Sequence, residues 1–257
     1  MKKRRRIAAI LLLTLCTVLM SGCGSEKNGG LYGQIKQEGV LTAAVVQDNA
    51  PYSWYDAGTQ TYSGIEIEIL KAVAEELGVT LNYYPTLRAG LTEVVKAQEA
   101  DIAIGRINEK DVSSGQVELS TQYGTGFLYV VTVRGDFSCM FSSFDGEQIG
   151  LSRKISDGAE VELYTIEDVT QTYYDTTDTV ETDLLSGTIA GYFCYEEEAK
   201  ALLASGKLQA QTITDYDPER YCIAVQKNNP DMIQLLNEVI QEMTEDGRLA
   251  QAILQYQ

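Results

Sequence analysis

Polar side chains follow directly after the short apolar stretch Ile102–Ile104, which we predict to be a buried strand. Gly105 ends this stretch, and Arg106 and Asn108 come next in the chain. Ligands tend to bind at the carboxyl ends of strands in α/β folds, so these three residues are candidates for ligand contacts. A guanidinium suits a carboxylate, a phosphate or another anion. A carboxamide can both donate and accept hydrogen bonds.

Each polar residue of this group also has a simpler interpretation. Arg106 can be a surface arginine paired with a nearby acid, because the chain contains 37 Asp and Glu residues. Asn108 can cap the turn that begins at Glu109. Both interpretations stay open at the level of the sequence.

The composition argues against catalysis and against metal binding. The chain contains no histidine, so general acid–base chemistry would fall on Asp, Glu, Lys or Tyr. No paired carboxylates stand at a position that can be placed. Without histidine and without a Cys-x-x-Cys motif, a structural zinc site is not expected. We therefore predict that the protein is not an enzyme and has neither a metal nor a cofactor.

Three cysteines lie beyond the N-terminal region, namely Cys139, Cys194 and Cys222. They allow either one disulfide and one free thiol or no disulfide. Cys194 and Cys222 stand in apolar, strand-like runs, which favours buried free thiols.

The N-terminus has the layout of an export signal. Lys2–Arg6 is basic, and Ile7–Met20 is an apolar run of 14 residues, shorter than the about 20 that span a bilayer. The following segment, Leu19–Cys23, resembles the lipobox of bacterial lipoproteins, in which the cysteine is lipidated. An ordinary signal peptide and a short anchor helix are the alternatives.

The net charge argues against partners with an anionic surface. The whole chain carries −17, and removal of residues 1–22 takes away five basic residues and no acidic ones, leaving −22. A surface this acidic repels nucleic acid and anionic membranes, so neither is expected as a specific partner of the folded domain.

The predicted elements that position these residues alternate between strands and helices. Val40–Val46 is an apolar, β-branched strand, and Ile65–Leu77 repeats apolar residues every four positions, as an amphipathic helix does. Another strand and helix lead to Asp101–Gly105, which completes a β-α-β-α-β unit. A second α/β unit begins near Gln148, so we expect two lobes with a cleft between them.

Several motifs in this order resemble family 3 extracellular solute-binding proteins, the amino-acid-binding components of bacterial ABC importers. Seven segments match motifs of the family and follow in the same order. They are Leu41–Tyr52, Gly64–Leu70, Ala74–Val79, Asp101–Gly105, Glu118–Tyr123, Ala224–Asn229 and Asp246-Gly247. A further segment that begins at Gly187 matches its family motif more weakly.

The resemblance implies a two-lobed α/β fold of the type II periplasmic-binding-protein class, with a ligand cleft between the lobes and hinges near Val133 and Asp215. The predicted segments are a lipoprotein signal peptide (1–22), a tether (23–38), lobe 1 (39–133), lobe 2 (134–215) and a return to lobe 1 (216–257).

The chain departs from the family where the ligand binds. Family members that bind α-amino acids clamp the carboxylate with an arginine, and this position is Ser113 here. The family's ammonium-binding aspartate aligns with Tyr195, and a family glycine aligns with Arg106. The Gly-Thr turn of lobe 2 aligns with Lys154-Ile155.

The same alignment implies further ligand contacts. The lobe-1 aromatic that flanks the ligand aligns with Arg88, and the first ligand loop supplies Asp48, Asn49 and Tyr52. Arg88 and Arg106 are expected to provide the positive charge that Ser113 does not give.

The resemblance implies a monomeric, lipid-anchored protein outside the cytoplasmic membrane. It would bind a small polar solute, an amino acid or a related and in some cases anionic compound, and pass it to ABC permease subunits. A sensor or interaction lipoprotein with a diverged site is one alternative, and a binding-protein-like enzyme is another.

Overall fold

The computed structural model describes residues 30–112, 115–136 and 138–256. The predicted signal peptide, the lipidation site Cys23 and Ser113 lie outside these ranges. In the part of the chain that is described, no helix is both long and apolar enough to span a bilayer.

Strands and helices alternate through most of the chain. The strands are β1 (Val40–Val46), β2 (Asp48–Asn49), β3 (Ser53–Asp56), β4 (Thr61–Ser63), β5 (Thr80–Thr86), β6 (Ile102–Ile107), β7 (Val117–Leu119), β8 (Gly124–Gly126), β9 (Tyr129–Val133), β10 (Gln148–Ser152), β11 (Thr170–Tyr174), β12 (Gly191–Cys194), β13 (Leu208–Thr212) and β14 (Glu219–Gln226). The α-helices are α1 (Leu31–Glu38), α2 (Ile65–Leu77), α3 (Leu91–Lys96), α4 (Asp157–Leu163), α5 (Val180–Ser186), α6 (Glu196–Leu203), α7 (Pro230–Glu245) and α8 (Arg248–Tyr256). Short 3₁₀ helices cover Arg88–Gly90, Glu109–Asp111 and Phe141–Phe144.

The first lobe is built on a sheet with the order β5-β1-β6-β14-β7, in which β8 also pairs with β14. β1 runs parallel to β5 and β6, whereas β14 is antiparallel to β6, β7 and β8. Every residue of β6 is buried, which explains the apolar sequence of its first four residues, and Arg106 is buried with them. Helices α2, α7 and α8 pack on one another and bury their apolar faces against this sheet.

The second lobe is built on a sheet with the order β11-β10-β12-β9-β13. β10 pairs in parallel with β11 and β12, and β9 is antiparallel to β12 and β13. Two clusters of buried side chains cover the two faces of this sheet. A third, small sheet has the order β2-β3-β4. The mixed α/β fold with one large sheet in each lobe agrees with the predicted fold class.

The predicted boundary between the lobes at Val133 is wrong by one strand. β9 hydrogen-bonds to β12 and β13, so the chain enters the second lobe between β8 and β9. The apolar sequence of β9 predicts a strand but contains no information about the sheet that it joins. The chain returns to the first lobe between β13 and β14.

The predicted tether, 23–38, is also wrong over its last eight residues, which form helix α1. The side chain of Ile35 is fully buried in the core of the first lobe. The backbone N–H of Leu31 donates to Asn229 Oδ1 at 2.8 Å. An apolar contact and a specific hydrogen bond therefore hold this segment on the domain.

The cysteines Cys139, Cys194 and Cys222 are all free thiols. Cys194 and Cys222 are buried, as their apolar sequence context predicts.

Candidate functional site

The end of strand β6 places Arg106 between the two lobes. The residue has a φ of 55°, in the left-handed region that a side chain makes unfavourable. Three hydrogen bonds hold this conformation. Its N–H donates to Glu66 Oε1 at 2.8 Å and to Tyr123 Oη at 3.0 Å, and its carbonyl accepts from Arg88 Nη2 at 3.1 Å.

Glu66 is the buried carboxylate behind this backbone. It lies in the first turn of α2 with no exposed surface, and it accepts from Tyr123 Oη at 2.5 Å and from Ser53 Oγ at 3.2 Å. Burial raises the pKa of Glu66 above its usual value, although the hydrogen bonds to Tyr123 and Arg106 lower it in part. Burial and the neighbouring Glu66 also raise the pKa of Tyr123.

Sequence reasoning missed the role of Glu66, although a signal was present. Glu66 stands four residues before Leu70 and seven before Val73, so it shares their buried face of α2. An acid on an apolar helix face is expected to be hydrogen-bonded.

Gly105 serves packing. A Cβ at this position would lie 2.5 Å from Leu91 Cδ1 and 3.2 Å from Val46 Cγ2, so only glycine lets β6 approach α3 this closely. The predicted ligand contact of Gly105 stays a prediction.

The side chain of Arg106 lies between two aromatic rings from different lobes. Its Cζ is 5.0 Å from the ring centroid of Tyr52 and 4.7 Å from that of Tyr195. Such cation–π contacts are each worth about 0.5–2 kcal/mol, more when water is excluded. Arg106 is 3% exposed, which contradicts the interpretation as a surface arginine.

The hydrogen bonds of the Arg106 guanidinium are incomplete. Nη2 donates to the carbonyl of Lys154 in the second lobe at 3.3 Å, whereas the buried Nε has no hydrogen-bond partner among the described residues. A buried donor without an acceptor is costly, so this position is suited to an incoming acceptor.

Arg88 brings a second guanidinium to the same point. Its Nη1 donates to the Lys154 carbonyl at 3.4 Å, so two arginines of lobe 1 converge on one carbonyl of lobe 2. Neither arginine forms an ion pair with a carboxylate within the residues that the structure describes. The site therefore holds two guanidinium groups that form no ion pair with the described carboxylates, while Glu66 and Glu197 act on the charge of Arg106 from a greater distance.

Tyr195 is held from behind by a hydrogen-bonded group at the boundary of the lobes. Its hydroxyl donates to Glu219 Oε2 at 2.7 Å and accepts from the N–H of Ser156 at 3.0 Å. Glu219 also accepts from Tyr216 Oη at 2.8 Å and from Ser156 Oγ, the residue that caps helix α4. Burial raises the pKa of Tyr195, so the phenol stays protonated.

Sequence reasoning did not find Glu219. It is one acid among many in this chain, and its partner Ser156 lies 63 residues away. No local pattern marks such a contact.

Of the other predicted site residues, Asp48 and Asn49 form strand β2, and Asn108 lines the same small pocket as Glu219. Asp48 is exposed in β2, where it pairs with Trp54. Asn49 is buried, and its carbonyl accepts from the N–H of Tyr52 at 2.8 Å. Asn108 Oδ1 accepts from the N–H of Lys110 at 2.7 Å, as expected for a residue that caps the following turn.

A second contact joins the lobes beside this cluster. The ammonium of Lys110 lies 4.0 Å from the ring centroid of Tyr216 and 3.9 Å from Glu162 of α4. A Cβ at Gly158 would lie 2.7 Å from Lys110 Cβ, so the two lobes are in close contact here. Across the described ranges, no group of acids and cysteines has the arrangement of a metal site.

The fold agrees with comparisons to known proteins. The family model for bacterial extracellular solute-binding proteins, family 3, matches residues 41–257. The L-cystine-binding protein TcyJ of Escherichia coli is 24% identical over 248 residues, which cover 93% of this chain and 91% of TcyJ. The L-cystine-binding protein TcyA of Bacillus subtilis is 23% identical over 137 residues, about half of each chain.

A solved structure with the same fold comes from Streptococcus pneumoniae. It is the amino acid ABC transporter substrate-binding protein AbpA bound to L-arginine, 24% identical, with a TM-score of 0.69 over 86% of this chain and 96% of AbpA. At this identity the likeness shows the shared two-lobed fold. Since the family model covers most of the sequence, the chain belongs to family 3 of the bacterial extracellular solute-binding proteins.

Proposed function

We propose that this protein is a lipid-anchored solute-binding protein that captures an amino acid or a related carboxylate outside the cell membrane and delivers it to an ABC transporter. One observation supports a carboxylate as the ligand class. Two guanidinium groups, those of Arg88 and Arg106, meet at the boundary of the lobes without a paired carboxylate.

The buried Nε of Arg106 is the donor that a ligand carboxylate would engage. A hydrogen bond between two charged groups contributes about 1.5–3 kcal/mol, more than a neutral one. The Lys154 carbonyl already accepts from both arginines, so it would stay beside the ligand and align the guanidinium groups. This arrangement differs from the family clamp, whose arginine is replaced by Ser113.

The relatives support an amino acid as the solute class. TcyJ and TcyA are named for L-cystine, and AbpA was solved with L-arginine. All of these ligands carry an α-carboxylate, which is the group that a guanidinium site recognises. The proposal includes no catalytic step.

The membrane anchor rests on the sequence. Cys23 is the proposed lipidation site, and residues 24–30 would link it to helix α1. This short link keeps the domain close to the membrane, where a permease takes up the solute. Metabolic labelling with a fatty-acid analogue tests the anchor, because Cys23→Ser should abolish the label and release the protein from the membrane.

A screen of polar solutes tests the ligand class. We expect thermal stabilisation of the mature protein by at least one carboxylate among amino acids, dicarboxylates and small peptides, followed by calorimetric binding with one solute per chain. Arg106→Gly should weaken this binding at least about tenfold, because it removes a charge-assisted hydrogen bond. Glycine is the substitution of choice, since it accepts the φ of 55°.

The matched control is Arg153→Gly. Arg153 lies on the surface of the second lobe, where its guanidinium stacks on Tyr173. This variant removes one positive charge away from the cleft and should leave the affinity unchanged. If no carboxylate stabilises the protein, or if Arg106→Gly and Arg153→Gly bind equally well, the proposed site is wrong.

A further inference from the structure

The aromatic pair at the cleft is a cation-binding site whose occupant belongs to the chain itself. Tyr52 comes from the first lobe and Tyr195 from the second, and the guanidinium of Arg106 lies near both rings. The edge of the Tyr52 ring also packs against Tyr221, with centroids 5.8 Å apart. Arg106 and Tyr195 are buried, and Tyr52 is partly buried.

The backbone keeps Arg106 in this position. The left-handed conformation disfavours any side chain, and yet Glu66, Tyr123 and Arg88 hydrogen-bond to the main chain of this residue and stabilise it. The guanidinium is therefore directed into the aromatic pair by a fixed backbone.

A second cation has no place here. The aromatic faces are already engaged by one guanidinium, and Arg88 adds another positive charge that bonds to the same Lys154 carbonyl. A solute with a guanidinium or ammonium side chain would face two like charges, and the repulsion from the buried Arg106 is stronger than it would be in water.

We infer that Arg106 determines specificity as a built-in cation. It fills the aromatic pair, excludes solutes with cationic side chains and leaves its Nε for the carboxylate of a solute with an uncharged or acidic side chain. This inference rests on the proposed function, because it assigns the solute class of the same cleft.

The test removes the built-in cation and offers a free one. Calorimetry with methylguanidinium and with L-arginine compares the wild type, Arg106→Gly and Arg88→Gln. The two variants lose the same charge, but only Arg106→Gly empties the aromatic pair. We expect Arg106→Gly to bind methylguanidinium, which carries no carboxylate, at least about tenfold more tightly than the wild type and Arg88→Gln do.

A double variant tests whether the cation binding gained by Arg106→Gly takes place at the aromatic pair. Tyr52→Leu in the Arg106→Gly background should abolish the gain, because it removes one ring of the pair. If Arg106→Gly does not fold, Arg106→Asn is the second variant, since asparagine also tolerates the left-handed conformation. Circular dichroism and a cooperative thermal transition verify the fold of each variant.

The outcomes separate this inference from the proposed function. Wild-type binding of a carboxylate with an uncharged or acidic side chain, together with gained binding of cations by Arg106→Gly, supports both. Gained binding of cations without any carboxylate binding by the wild type supports the aromatic site and overturns the proposed function. Tight binding of L-arginine by the wild type, or a folded Arg106→Gly that gains no cation binding, overturns the inference.

Discussion

Two buried glutamates stand behind the two sides of the cleft, and they differ in what they hold. Glu66 accepts hydrogen bonds from groups of the first lobe only, among them the N–H of Arg106. Glu219 begins the strand that returns to the first lobe, and it accepts from Ser156 and Tyr195 of the second lobe. Each carboxylate thus positions one partner of the same cation–π contact.

The difference assigns distinct tasks to the two sides. The Glu66 side is a rigid wall, since its contacts persist whether or not the lobes separate. The Glu219 side ties the tyrosine of the second lobe to the segment that connects the lobes, so its contacts are sensitive to their relative position. Substitution of Glu66 should mainly affect stability, and substitution of Glu219 should mainly affect solute binding.

The largest effect is expected from Glu66→Ala. It leaves the hydroxyls of Tyr123 and Ser53 without their acceptor in a buried site and removes one of the two acceptors of the Arg106 N–H, and each unsatisfied donor costs about 1–3 kcal/mol. We expect the free energy of unfolding in urea to fall by about 3–5 kcal/mol. Glu75→Ala, at an exposed position of the same helix, is the control and should leave the stability nearly unchanged. Equal stabilities of the two variants would contradict the buried network.

Glu219→Ala should destabilise the protein less and impair binding more. The groups that donate hydrogen bonds to Glu219 lie at the boundary of the lobes, where water reaches them when the lobes separate. We therefore expect the free energy of unfolding to fall by about 1–3 kcal/mol. Tyr195 then loses its fixed position against Arg106, and solute affinity should drop about tenfold. Urea unfolding and calorimetry on the same preparation check both values. Unchanged affinity would show that Glu219 has no positioning role.

Gly105→Ala tests how closely strand β6 packs against helix α3 on the first-lobe side of the cleft. The new methyl group would meet Leu91 Cδ1 at 2.5 Å, and overpacking of a core of this kind costs about 1–3 kcal/mol. Leu91→Ala removes the obstructing atom, so the double variant should be more stable than the sum of the two single losses predicts. Strict additivity in urea unfolding would argue against this close contact.

The smallest effect concerns pH. A carboxyl with a higher pKa in the folded state favours folding when protonated, so its contribution declines as pH rises from its usual pKa of 4.5 toward the raised value. The wild type should therefore lose stability over this interval relative to Glu66→Gln, which does not titrate. Urea unfolding at several pH values measures the difference, and parallel profiles would contradict the raised pKa of Glu66.

The sequence predicted those parts of the molecule that depend on local patterns. The apolar run before Gly105 marks strand β6, and the four-residue repeat of Ile65–Leu77 marks helix α2. The contacts of Arg106 with Tyr52 and Tyr195 join segments that are distant in the chain. The position after strand β6 indicates Arg106, but only the alignment to the family brought Tyr52 and Tyr195 into consideration.

The errors about β9 and α1 also arise because contacts between distant segments decide the structure. The sheet that β9 joins and the packing of α1 are decided by pairing with distant segments, and no local repeat reports them. Glu219 was not found for a related reason, since nothing near it in the sequence distinguishes it from the many exposed acids of this chain.

A crystal structure with a solute identified by the screen tests the central claim most directly. We expect a carboxylate oxygen of the solute within about 3 Å of Arg106 Nε, with the Arg106 guanidinium still between Tyr52 and Tyr195. A solute whose anionic group lies elsewhere, or whose own cationic group displaces Arg106 from the two rings, would contradict it.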